Sequence, residues 1–239
     1  MNKLNLMATV VTGLAISFSV NAQSFSKVNG SVTIADGQSA DSISSVNGTI
    51  NIGKNATIRD DISVVNGTVS VGAASKLSDV STVNGEVSIG ENSTVGEITV
   101  VNGEINLARN VHVKDDITSV NGGILSNAQT VIDGDVTSVN GAIGLIATNV
   151  KGRVENVNGN TTIGINSSVG AVHYIKPKGF SVGLNTKRIR RVIIGPKATV
   201  RGDLNFEREV RLYVHSTAKV GNITGATAIP YSGDTAPKN

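Results

Sequence analysis

The tripeptide Val-Asn-Gly recurs eight times, beginning at Val28, Val46, Val65, Val83, Val101, Val120, Val139 and Val157. Successive copies lie 18 or 19 residues apart, with no insertion from the first to the last. So short a period cannot hold a helical pair. Each cycle must be a small unit that buries its apolar side chains only by stacking on its neighbours, which is the mark of a solenoid.

Columns emerge when the Val of each tripeptide is numbered zero. Position +4 holds Val32, Ile50, Val69, Val87, Ile105, Ile124 and Ile143, and +6 holds Ile34, Ile52, Val71, Ile89 and Leu107. Position +12 carries Ile58, Leu77, Val95, Val113 and Ile132, and −3 carries Ile43, Ile62, Val80, Ile98, Ile117, Val136 and Val154. The alternation through 0, +2, +4 and +6 has the period of a strand with one buried face. It places the Val at zero in the interior as a fifth apolar column. Gly or Ala after +6 marks a corner. From Ser26 to Gly170 there is no Phe, Tyr or Trp, as suits a narrow interior lined by Val and Ile.

The expectation is an all-β, single-stranded β-helix, one coil per cycle and about ten or eleven coils. The Asn residues at +1 (Asn29, Asn47, Asn66, Asn84, Asn102, Asn121, Asn140 and Asn158) stack in one column. They read as a structural ladder of amide hydrogen bonds at a corner, where Asn tolerates a left-handed backbone. Position −4 holds Asp61, Asp79, Glu97, Asp116 and Asp135. These acids read first as solvated turn residues. Their oxygen-rich column also makes them the candidate ligands for a divalent cation.

Before the repeats, an apolar stretch from Leu4 to Val20 follows Lys3 and ends in Val20-Asn21-Ala22. Residues 1–22 read as a cleavable export signal, which places the protein in the bacterial periplasm or envelope. The chain has no cysteine, so disulfides and thiol chemistry are excluded. No phosphate loop, nucleophile elbow or zinc spacing occurs, and the expectation is a protein that is not an enzyme and carries no cofactor.

After the regular repeats of residues 23–170, the segment 171–228 reads as atypical terminal coils. Between Gln23 and Gly170 there are 8 Lys and Arg against 14 Asp and Glu, whereas from Ala171 onward there are 12 against 4. Much of the basic excess lies in an insertion over 176–191, with Lys176, Lys178, Lys187, Arg188, Arg190 and Arg191. Read as a projecting loop, it is the candidate binding surface for anionic glycan or lipid headgroups, with no nucleic acid expected outside the cell. Residues 229–239 read as a disordered tail.

Two stretches carry a likeness to a known group. They are Ile52-Gly53-Lys54-Asn55-Ala56-Thr57-Ile58-Arg59-Asp60-Asp61-Ile62 and Ile194-Gly195-Pro196-Lys197-Ala198-Thr199-Val200-Arg201-Gly202-Asp203-Leu204. The pattern resembles the bactofilins, polymer-forming β-helix proteins. That resemblance implies a right-handed β-helix, self-association end to end without nucleotide or metal, and a scaffold role at the cell envelope. The first functional expectation is therefore a structural scaffold protein. The alternative is a secreted adhesion-type module that binds glycan or membrane through the basic loop. Ice binding, suggested by the column Ser63, Ser81, Thr99, Thr118 and Thr137, stands third.

Overall fold

The computed structural model of the chain describes residues 23–176 and 189–237. Residues 1–22 and most of the basic insertion, including Lys178, Lys187 and Arg188, lie outside the described residues. The rest is a parallel β-solenoid of about eleven turns, with no helix. Most regular coils contribute a strand to each of three faces; in the coil of Val65 the third is reduced to a bridge at Lys76. Face 1 takes residues −3 to +1, as in Ile98–Asn102, and eleven strands lie along its path. Face 2 takes +4 to +6, as in Ile105–Leu107, again with eleven strands. Face 3 is a narrow sheet of two-residue strands such as His112–Val113.

Register is strict. Ile98 pairs with Val80 below and Ile117 above, and Ile105 with Val87 and Ile124. One coil shows how the interior is filled: Ile98, Val100, Ile105, Leu107, Val111 and Val113 are all at most 1% exposed. Burying each such side chain contributes roughly 1.5–3 kcal/mol, and only stacking provides the second wall.

Two features of the expected coil are corrected. The Val at zero points outward, and the residue before it points in: Ser45, Val64, Thr82, Val100, Ser119, Ser138 and Asn156 are buried. Gly at +2 interrupts the strand, so the inward parity of face 1 (−3, −1) is not continuous with that of face 2 (+4, +6). The left-handed corner is also elsewhere. No Asn at +1 has positive φ, whereas Asn55, Ala74, Asn92, Asn110, Gln129, Ala147, Asn166 and Lys197 do, once per coil near +9.

The Asn column at +1 forms an unbroken chain of amide bonds. Each Nδ2 donates to the Oδ1 one coil earlier, from Asn47 onto Asn29 at 3.0 Å to Asn158 onto Asn140 at 2.9 Å. Arg208 closes the top, donating to Asn158 Oδ1 at 2.7 Å and to the Val157 carbonyl. Arg201 likewise reaches back to the Val150 and Lys151 carbonyls and Ser168 Oγ. Two arginines of the basic terminal region thus bind coils beyond the insertion to coils before it.

Inside, a second set of hydroxyls satisfies backbone groups at the corner after +6. Ser75 Oγ donates to the Gly53 carbonyl at 2.9 Å and accepts from the Ala56 N–H; Ser93 and Ser167 make similar bonds. Tyr174, fully buried at −1, donates to Thr161 Oγ1 at 2.7 Å or the Gly159 carbonyl at 3.0 Å, and burial pushes its phenol pKa upward. By contrast, Thr82 Oγ1 is buried with no partner. Thr82→Val keeps the shape and removes an unsatisfied hydroxyl. It should raise stability by about 1 kcal/mol, read as a higher urea midpoint at unchanged slope; a lower midpoint would contradict that packing.

The ends differ from the middle. At the first coil Lys27 registers with Ser45, in the core-facing column, yet is exposed and donates to the Ser31 carbonyl at 2.8 Å. Phe25 packs partly against the core. At the other end Ala228–Tyr231 is a face 2 strand paired with Val210–His215, so Ile229, Pro230 and Tyr231 belong to the last coil and not to the tail expected from 229. Pro230 registers with Val214, at +6. Carbonyls at +6, such as Ile34 and Ile52, bond to the following coil, and the N–H of a strand residue points the same way as its carbonyl. Pro230 therefore deletes an N–H that would face out of the rod. Proline and core-facing charge are both devices that blunt sheet edges.

Candidate functional site

Face 1 presents two outward columns. At −2 stand Ser44, Ser63, Ser81, Thr99, Thr118 and Thr137, in register across the strands. At zero stand the valines. Val28 is 66% exposed, and Val46, Val65 and Val83 are 40–41% exposed, while Val101, Val120, Val139 and Val157 are half-buried. Between the columns runs a shallow groove of about 360 Å³ that spans Ser26 to Val101.

The three residues of the repeated motif thus have three different reasons. Asn makes the ladder. Gly is forced by the stacking of corners: a Cβ on Gly85, at φ +154°, would sit 1.8 Å from the Gly67 carbonyl oxygen. Val has no role in the core. Its β-branched shape suits a strand, but Thr would suit that as well, and Thr99, Thr118 and Thr137 stand in the neighbouring column.

The acidic column borders the groove. Asp61, Asp79 and Glu97 share a recess of about 150 Å³ with Ser81 and Thr99. Four carboxylates of the column, from Asp79 to Asp135, are engaged with the fold. Asp79 Oδ1 accepts the Glu97 N–H at 2.8 Å and Asp116 Oδ1 the Asp135 N–H at 2.7 Å; Glu97 Oε1 accepts the Thr99 hydroxyl at 2.9 Å. Asp135 accepts the Arg153 N–H at 2.7 Å and pairs with its guanidinium at 2.8 Å, which holds the Arg153 pKa above its usual value. Among the described residues no three acids or histidines are grouped to hold a metal ion. The column does not gather around a cation: Asp79, Asp116 and Asp135 each turn an oxygen to a backbone amide of the next coil, and Glu97 turns one to Thr99, rather than to a common centre.

The basic reading is also revised. Arg190 and Arg191 belong to the strand Arg190–Ile194 of face 2, registered with Val210 and Arg211, and not to a projecting loop. The Arg191 guanidinium lies 5.2 Å over the Tyr213 ring and donates to the Pro237 carbonyl at 2.8 Å. The Lys176 N–H donates to Glu207 Oε2 at 3.0 Å, and His173 Nε2 lies 3.2 Å from Glu207 Oε1. On face 3, Asp133 sits between Lys151 at 2.9 Å and His112 at 3.0 Å, which together hold its carboxyl below the ordinary range.

The Ser/Thr–Val face was only half visible in the sequence. Its hydroxyl column is regular, but the valines beside it were assigned to the interior. Face 1 stays free of charge at −2 for seven coils, from Ser26 to Thr137, and then changes, with Glu155 and His173 in the same column. No protein-family model, curated protein or solved structure shows significant similarity to this chain.

Proposed function

We propose that the protein is a non-enzymatic structural rod of the bacterial envelope that works through the long side of face 1. The observation that carries this reading is the Val column, kept solvent-accessible at the tightest-repeating position of the chain while other aliphatic columns are buried. A row of exposed branched side chains on a stiff sheet, with hydroxyls beside it, is a surface for contact rather than for chemistry. The likeness to bactofilins supports a scaffold role, and the apolar leader supports export. Lys27 and Pro230 favour contact along the rod over strand addition at its ends.

Val65→Glu together with Val83→Glu tests the reading. Both positions face solvent, so the rod should fold with unchanged β-sheet signal. In cell fractionation the wild-type protein should stay with the envelope, and the double variant should move mostly to the soluble periplasmic fraction. Equal retention of both would remove face 1 as the working surface.

A further inference from the structure

Resting on that reading of face 1, we propose that its partner is a second copy of the chain. The two rods lie side by side and parallel, related by a two-fold axis that runs along them.

Two flat faces of this kind meet face to face in two symmetric ways. With the axis along the rods, strand direction is reversed across the contact. The Val column of one copy then meets the Ser/Thr column of the other, and the acidic corner at −4 meets the Asn ladder at +1. With the axis across the rods, each column meets itself, so that Asp61, Asp79, Glu97 and Asp116 would face the same four acids. Like charges brought together cost free energy, which selects the parallel arrangement.

That arrangement also supplies partners. An amide has two N–H donors, and each ladder amide above Asn29 uses one on the coil below. One donor per coil therefore remains. Asp79 and Asp116 each use Oδ1 on a backbone N–H and keep Oδ2. Acid and amide columns repeat once per coil, and Asp61 belongs to the same coil as Asn66, Asp79 to that of Asn84, Glu97 to that of Asn102, and Asp116 to that of Asn121. In the parallel pair each acid stands level with an amide of the other copy.

The contact has natural limits. It spans the six coils from Ser44–Val46 to Thr137–Val139 and stops where Glu155, paired with Arg153 at 3.0 Å, replaces the hydroxyl. Six coils at about 4.8 Å, each about five residues wide, give about 500 Å² per copy, or about 1,000 Å² in all. That lies at the lower limit for a specific interface, so the dimer is a reversible one.

Sedimentation velocity of the purified exported protein over a wide concentration range tests this. The wild type should pass from monomer to dimer as concentration rises. Val65→Glu with Val83→Glu should weaken association at least tenfold. Glu97→Gln, which keeps the bond from Thr99, should weaken it severalfold, whereas acids facing acids would make it stronger. A spin label on Ser26→Cys, unique because the chain has no cysteine, should give a distance under about 20 Å in the parallel dimer, against more than about 30 Å in the antiparallel one. A monomer at every concentration, a dimer indifferent to the valine changes, or the long distance would overturn the proposal. Monomeric wild type whose envelope retention still falls in the valine variant removes only the second copy as partner; unchanged retention removes the reading of face 1 as well.

Discussion

Replacing Gly85 by alanine should cost at least about 3 kcal/mol and lower the melting temperature by roughly 10 °C. The cause is not lost flexibility alone. The new Cβ would lie 1.8 Å from the Gly67 carbonyl oxygen and 2.6 Å from its carbon, both backbone atoms held by the neighbouring coil. Relief requires the coils to separate locally, and separation breaks the Asn84–Asn66 amide bond beside it. The φ of +154° adds strain for any residue with a side chain. Because each coil is stabilised by its neighbours, a fault at mid-rod divides the array. Thermal unfolding followed by circular dichroism checks this; a change within 1 °C of the wild type would show that the corners do not stack as described.

Two substitutions at adjacent positions, Val64 and Val65, should differ sharply in their cost. Val64 is 3% exposed and Val65 is 41% exposed. Val64→Glu puts a carboxyl in the inward column between Ser45 and Thr82, whose buried hydroxyls have no partner, beside the aliphatic −3 column. The group either ionises at a high cost of desolvation or stays protonated with at most those two hydroxyls as partners, and its longer unbranched chain does not fit a space shaped by Val. A loss of about 3–5 kcal/mol follows, a large fraction of the stability of an ordinary domain. Val65→Glu faces water on a sheet surface and should change stability by about 0.5 kcal/mol or less. Urea denaturation of the two variants side by side decides the matter. Equal losses would mean that the zero position is partly interior.

That contrast shows where sequence legibility ended. The repeat period and four apolar columns (−3, +4, +6 and +12) were enough to build the coil, because those residues lie within strands and obey the alternation of a pleated sheet. The error arose at the corner. Carrying the alternation through Gly from zero to +4 assumes one continuous strand, but the Gly turn resets which side is inward. The true inward column at −1 mixes Ser, Val, Thr and Asn, and a column half polar in composition does not announce itself as core. Ser119, Ser138 and Asn156 are accommodated by local bonds, as when Asn156 Oδ1 accepts the Gly159 N–H at 2.7 Å, whereas the Ser45 and Thr82 hydroxyls are buried without a partner. The small residues at +10 were missed for the same reason.

The candidate site was legible in pieces. The Ser/Thr column and the acidic column could be seen as columns, but their adjacency to exposed valines depended on the parity that failed. The basic excess misled in another way. Charge counts show that Arg191, Arg201 and Arg208 are cationic, but not that Arg191 lies over Tyr213 or that the other two reach back some 50 residues to carbonyl oxygens. Such long-range bonds depend on register through an interruption of the period. Thr161 pairs with Val192 across that gap, which no local pattern specifies.

The most direct test of the account is side-chain oxidation footprinting in intact cells, compared with dilute purified protein. Val46, Val65 and Val83 lie on face 1, whereas Leu125, Ile146 and Ile165, about equally exposed at 47–50%, lie off it and serve as internal controls. The account predicts that the three valines are protected severalfold in cells while the controls are oxidised as in the purified protein. Valines oxidised to the same extent in both settings would contradict the claim that face 1 is the surface through which this rod works.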